Sequence, residues 1–209
     1  MRMNEGLGLS RAAVLSAGLL LPLWLACPGM AADTAVVAGI NGTPTLYRDS
    51  KPQALHPGEP VRIGDVVSTD RESKVKLLLA DDSVLSIGPG TQIAIDELTL
   101  GPEQRRGRLS VLVGRFKLAI AAWLTGPSDY EVRTPTAVAG VRGTVLWGDT
   151  QLDAICSLQG TVEVRTVRGD ATAKLEPGHC VTHMAEGETT PLVPSHEELL
   201  RYLREVSLD

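Results

Sequence analysis

From about residue 36 to residue 185, apolar side chains recur at every second position in short runs broken by glycine, proline or aspartate. Val75, Leu77 and Leu79 alternate with Lys74, Lys76 and Leu78; after Asp81-Asp82-Ser83 come Leu85 and Ile87, then Gly88-Pro89-Gly90, then Ile93 and Ile95. Residues two apart share one face of a strand, so this is the pattern of half-buried strands joined by an Asx-rich hairpin turn. No comparably long helical period occurs before residue 190, which leaves an all-β fold. With hydrophobic residues at 43% and aromatics at 3%, the core of such a fold must be aliphatic.

A local unit recurs along the chain. Gly42-Thr43-Pro44-Thr45-Leu46, Gly114-Arg115-Phe116-Lys117-Leu118 and Gly160-Thr161-Val162-Glu163-Val164 each open on glycine and continue in alternation. Glycine there fits a sharp corner or bulge ahead of a strand. Repeated corner-then-strand units predict stacked β-coils, a short β-solenoid, or a curled sandwich. The spacing is too irregular to choose between them.

The two ends of the chain differ from this body. Residues 1–32 read as a signal peptide: Arg2 and Arg11 precede the uncharged stretch Ala12 to Ala26, and Gly29-Met30-Ala31 is a small-x-small cleavage site. Export places the mature chain in the periplasm. A retained N-terminal anchor and a lipoprotein acylated at Cys27, after Leu25-Ala26, are the alternatives. Residues 33–191 form the β domain and 192–209 a helical tail. Ser195 and Glu198 make a capping box after Pro194, and Leu199, Leu200, Leu203 and Val206 share one helical face. Such a helix docks on its own domain or on a partner. Cleavage removes Cys27 and leaves Cys156 and Cys180, an even pair in an oxidising compartment.

The net charge of −5, with no block of Lys or Arg, excludes a nucleic-acid face. Asp81 and Asp82 would diverge on a strand and read as turn residues rather than an acid/base pair. His179, Cys180 and His183 have a helical ligand spacing, but following Gly178 they fall on a strand, where the two histidines lie about 13 Å apart. No nucleophile motif or phosphate-binding glycine loop occurs. The chain is therefore expected to be non-catalytic and to hold no cofactor or metal. Arg142, between Gly140 and Gly143, is either a partner or anion contact or a donor to carbonyls at a corner. Trp123, in Ala121-Ala122-Trp123-Leu124 ahead of Gly126-Pro127, is either a contact at an apolar loop tip or buried.

One stretch carries a family resemblance. Thr134-Pro135-Thr136-Ala137-Val138-Ala139-Gly140-Val141-Arg142-Gly143-Thr144 resembles the most characteristic segment of the FecR domain. Gly64-Asp65-Val66-Val67-Ser68-Thr69, Asp82-Ser83-Val84-Leu85, Leu158-Gln159-Gly160-Thr161-Val162 and Leu175-Glu176-Pro177-Gly178 resemble further pieces of it, in the family's order, with Asp82 where the family has glycine. The resemblance implies a β-rich periplasmic signalling module that contacts other proteins, here in a stand-alone form without the anti-sigma and transmembrane segments of the best-known members. An envelope protein is then the expected partner, with Trp123, Arg142, Leu199 and Leu203 as contact residues. A cell-envelope ligand binder, for glycan or peptidoglycan, is the other class; its candidate stacking residues are Tyr47, Phe116, Trp123, Tyr130, Trp147 and Tyr202.

The resemblance also makes the cysteine strands closing, neighbouring coils. With Ile155 and Val181 facing the core, Cys156 and Cys180 face outward, and outward cysteines on adjacent strands approach the Cα separation of about 5.5 Å that a disulfide needs. For the leader, intact-mass analysis of protein recovered from the periplasm should show a new N-terminus at Ala32 or Asp33. An unprocessed chain starting at Met1 would refute cleavage, and an acylated Cys27 would make it a lipoprotein.

Overall fold

The computed structural model describes residues 34–101, 105–121 and 128–208 and, of Ser128 and Arg142, the backbone only. Sixteen strands run through them: β1 Ala35–Asn41, β2 Thr45–Arg48, β3 Lys51–Ala54, β4 Pro60–Val61, β5 Val66–Ser68, β6 Lys74–Leu79, β7 Val84–Ile87, β8 Gln92–Leu100, β9 Arg105–Val113, β10 Arg115–Ala119, β11 Ser128–Arg133, β12 Ala137–Asp149, β13 Ala154–Thr166, β14 Thr172–Leu175, β15 Cys180–Thr182 and β16 Thr190–Leu192. A 3-10 turn covers Met184–Glu186, and one helix, α1 (His196–Val206), closes the chain.

All the strands belong to one sheet, in the order β3-β2-β5-β8-β9-β11-β12-β10-β7-β6-β1-β4, with β13 on the other side of β12 and carrying β14, β15 and, beyond β15, β16. The sheet is open, since its end strands β3 and β4 do not pair with each other. Strand β9 runs parallel to β11; the other described pairs are antiparallel. One core cluster draws Leu46 and Val67 from one wing, Val37, Val75 and Leu77 from the other, and Leu109, Phe116, Tyr130 and Val162 from between. Strands that distant in the pairing order meet in one core only because the sheet curls around it. The alternation read from the sequence is the cause: in β6, Val75, Leu77 and Leu79 are buried and the residues between them are not. Outer strands are blunted with proline, at Pro52 in β3, Pro60 in β4 and Pro191 in β16, which removes an N–H that would template another chain.

The three recurring glycines are all tight corners packed on a hydroxyl residue. Gly114 has φ +103°, and a Cβ there would lie 2.5 Å from Thr91 Cα; Thr91 Oγ1 accepts the Arg115 N–H at 3.0 Å. Gly160 has φ +72°, with a Cβ position 2.7 Å from Thr144 Cβ. Gly42 packs in the same way on Ser73, whose Oγ accepts the Thr43 N–H at 2.8 Å. Gly58 supplies a control, with φ +82° and nothing within 4 Å. Gly58→Ala should therefore cost only the backbone term of about 1 kcal/mol, whereas Gly160→Ala adds the Thr144 clash and should cost about 2–4 kcal/mol. Urea midpoints of the two variants measure the difference, and equal midpoints would remove the packing argument.

Candidate functional site

The Arg142-Gly143-Thr144 stretch sits where β12 changes partners. Val138 to Val141 pair with β11, whereas Val145 to Asp149 pair with β10, and the register against β13 shifts between Arg142 and Val145. Gly143 takes φ +54°, opposite the Gly160 corner. Thr144 Oγ1 donates to the Gln159 carbonyl, and the Thr144 carbonyl accepts the Ile120 N–H at 3.0 Å. This is a double bulge, which bends a long hairpin so that one strand serves two sections of sheet. The Arg142 side chain lies outside the described residues, as does Trp123 entirely.

Asp81 is more than the turn residue its sequence implies. Its side chain is fully buried, accepts the Ser83 N–H at 3.0 Å and the Ser83 hydroxyl at 2.9 Å, and takes the Tyr130 hydroxyl proton in a further hydrogen bond. Arg105 Nη1 lies 3.5 Å from its carboxylate and donates to its carbonyl at 3.2 Å. Tyr130 lies flat across β9, where a Cβ on Gly107 would meet its ring at 2.2 Å. Burial first, and then the Asp81 carboxylate, push the Tyr130 hydroxyl well above the usual phenol range. Asp82, with φ +66°, is exposed and turns away. The two carboxylates do not converge.

A second buried carboxylate floors a groove at the β2–β5 side of the sheet. Asp65 is 3% exposed and takes Arg48 through Nε at 3.0 Å and Nη2 at 2.6 Å, plus the Arg62 N–H at 2.8 Å. The Asp65 hydrogen bond raises the Arg48 pKa further. Around this pair Tyr47, Gln92, Ile63 and Leu112 line a space of 790 Å³, with Ile63 54% and Leu112 52% exposed. Its lining is mixed: Asp49, Ser50, Arg62 and Gln92 stand beside the apolar Ile63, Val66 and Leu112, so it offers both polar and apolar contacts.

Cys156 and Cys180 are joined in a disulfide, as direct partners on β13 and β15. They lie on the face opposite Ile155 and Val181, as their alternation requires, yet each is only 1% exposed. The bridge thus forms on the outer face as expected, and α1 covers it. A second apolar cluster forms there from Trp147, Ala154, Cys156, Cys180, Tyr202 and Val206. The Tyr202 ring stacks on Trp147, with centroids 4.3 Å apart and planes within 9°. Arg201 lies 5.4 Å from the Tyr202 centroid. Arg115 bridges Glu205 at 2.6 Å and Asp149 at 3.3 Å, and Lys74 Nζ donates to the Arg204 and Ser207 carbonyls at the helix C-terminus. The capping box forms, and the Ser195 backbone N–H and hydroxyl hold the Glu198 carboxyl below its usual range.

The docked face of α1 is thus centred on Tyr202 and Val206. Leu199 and Leu203 are half-buried at its margin and Leu200 is 44% exposed, so the leucine stripe is not the main anchor. Of the aromatic residues considered for sugar stacking, Phe116, Tyr130, Trp147 and Tyr202 are buried, which leaves Tyr47 half-exposed among the described residues. Cys180 is consumed in the disulfide and offers no thiolate to a metal; His179 and His183 contact Pro177 and Thr182 respectively.

The sequence profile of the family described as FecR protein matches residues 65–173, just over half of the chain. The chain belongs to the FecR family. Two crystal structures of a "putative anti-sigma factor" from Parabacteroides distasonis ATCC 8503 share the fold, each with a TM-score of 0.52, at 18% and 19% identity. Each alignment covers 66% of this chain and 64% or 63% of that protein, so the chain spans less than two thirds of that protein's length. No curated protein matches the chain. The FecR pieces quoted from the sequence now have physical roles: Asp65 is the groove's buried acid, Ser83 holds Asp81, and Arg142-Gly143-Thr144 with Gly160 is the double bulge. The FecR match ends at Ala173, before Cys180 and α1. Sequence reading missed Tyr202 as an anchor because Leu199, Leu200 and Leu203 set the apolar face it followed, and it missed Arg105 and Tyr130 because their partner lies in a distant turn.

Two outcomes follow from these contacts. The Tyr130 hydroxyl titrates higher in the folded than in the unfolded chain, so its stabilisation is complete below the unfolded value of about 10 and is lost as pH rises beyond it. Between pH 9 and 11 the wild type should lose more stability than Tyr130→Phe in denaturant titrations; parallel losses would contradict the assignment. Replacing both cysteines by serine should lower stability by about 3 kcal/mol, given a sequence separation of 24. A wild-type urea midpoint in that variant would make the bridge energetically idle.

Proposed function

We propose that this FecR-family chain is a non-catalytic protein-interaction module of periplasmic signalling, and that its curled sheet is a short stack of β-coils of the FecR type. The observation that carries the reading is the FecR match over residues 65–173, supported by the structural likeness to a protein described as an anti-sigma factor. The buried acids support a non-catalytic role, since Asp65, Asp81 and Asp149 are each held by hydrogen bonds or ion pairs inside the fold. Among the described residues no helix is long and apolar enough to cross a membrane. A disulfide matches an oxidising compartment such as the periplasm.

The partner surface we assign is the groove beside Asp65, with Ile63 and Leu112 as apolar contacts; Trp123 and Arg142 are separate contact candidates, proposed from the sequence. Among the described residues only Tyr47 is left partly open for stacking, which disfavours the glycan reading. A photo-crosslinking residue placed in living cells at Ile63, Leu112 or Trp123 should yield a discrete adduct with an envelope protein, and one at exposed Lys76 on β6 should not. Absence of an adduct from all three positions, in protein that is folded and exported, would refute the assigned surface.

A further inference from the structure

We propose that α1 is exchanged between two copies of this chain, each helix seated in the Trp147 groove of the other, to give a two-fold dimer. The proposal is independent of the partner-binding reading above.

The chemistry of the groove is read from what fills it. Trp147 and the Cys156–Cys180 bridge form the floor; Arg115 and Lys74 supply cations at the rim. The helix answers with Tyr202 on Trp147, Val206 beside it, Glu205 on Arg115, and its last carbonyls on Lys74. None of these contacts depends on the helix belonging to the same chain, so a second copy reproduces each of them.

The tether carries the second observation. Strand β16 is exposed at all three residues, and only Val193 and Pro194 separate it from the N-cap. Within this short segment Leu192 is 37% and Val193 68% exposed. These are two adjacent solvent-facing apolar side chains where a hinge would lie. In a closed monomer they gain nothing; where two hinges cross at a two-fold axis they bury one another.

The groove also requires an occupant. An open groove would expose Trp147, Cys156 and Cys180, all within 1% of full burial when covered. A free eleven-residue helix is too short to persist in water. The segment shown to fit is α1, and every other copy of the chain carries it.

Complementation between two full-length variants tests the exchange. Trp147→Ser, with Trp24→Phe and Trp123→Phe so that it contributes no tryptophan emission, keeps a donor helix but lacks a groove. Tyr202→Ser/Val206→Ser keeps the groove but lacks a docking helix; with Trp24→Phe and Trp123→Phe added, Trp147 becomes its sole tryptophan. Sedimentation of the wild type over a range of concentrations should reveal a species of twice the monomer mass, and each variant alone should stay monomeric. Their mixture should form a 1:1 complex with the Trp147 emission shifted to the blue. A wild type that stays monomeric with no complex in the mixture overturns the proposal, as does a wild-type dimer whose variants fail to complement. If Trp147→Ser loses its far-ultraviolet circular dichroism spectrum, a synthetic peptide of residues 190–208 replaces it as donor, and failure of that peptide to shift the emission is equally decisive.

Discussion

The hairpin of β12 and β13, thirteen residues in each strand, pairs on one side with β11 and β10 and on the other with β14 and β15. A straight hairpin of that length could not turn with the sheet. Gly143 and Gly160 break the register at one level, with Thr144 filling the space between them, so the first half of the hairpin continues one section of sheet and the second half another. Each strand hung on this hairpin takes its direction from that bend. The most recognisable FecR stretch of the sequence is therefore a mechanical joint, and its glycines are fixed by backbone geometry rather than by chemistry at a site.

The fold was legible in the sequence to the extent that it rests on local rules. Alternation in Lys74–Leu79 and Val84–Ile87 gave strands with the correct inward residues, because burial on one face of a strand imposes a period of two. The capping box at Ser195 and Glu198 is likewise local and formed as read. Pairing order, by contrast, depends on which strands meet after the chain has passed elsewhere. Strand β11 lies parallel to β9, and β10 lies between β7 and β12, and no residue pattern announces either. The cysteines show the boundary between the two kinds of information. Their face followed from alternation and their pairing was inferred with the help of the family, but their burial depended on Tyr202 reaching Trp147 from a helix more than fifty residues beyond Trp147.

Buried charge in this molecule is used to fasten loops. Asp81 ties the β6–β7 turn to β9 through Arg105 and to β11 through Tyr130; Asp65 ties the loop before β5 to β2 through Arg48. Removing one member of such a set strands the other without its partner, which is costlier than losing an ordinary contact. With so few aromatic residues and an aliphatic core that specifies direction weakly, these polar clasps give the curled sheet its fixed registers.

The seal that α1 makes over Cys156–Cys180 also controls access to the bridge. Sulfurs 1% exposed are out of reach of oxidant and reductant alike while α1 is seated, so the bridge can form or break only when the groove is open. The helix thus acts as a kinetic lock: a reductant meets the sulfurs only during the moments when the helix has lifted, and the lifetime of the bridge in a reducing milieu is set by how often Tyr202 leaves Trp147.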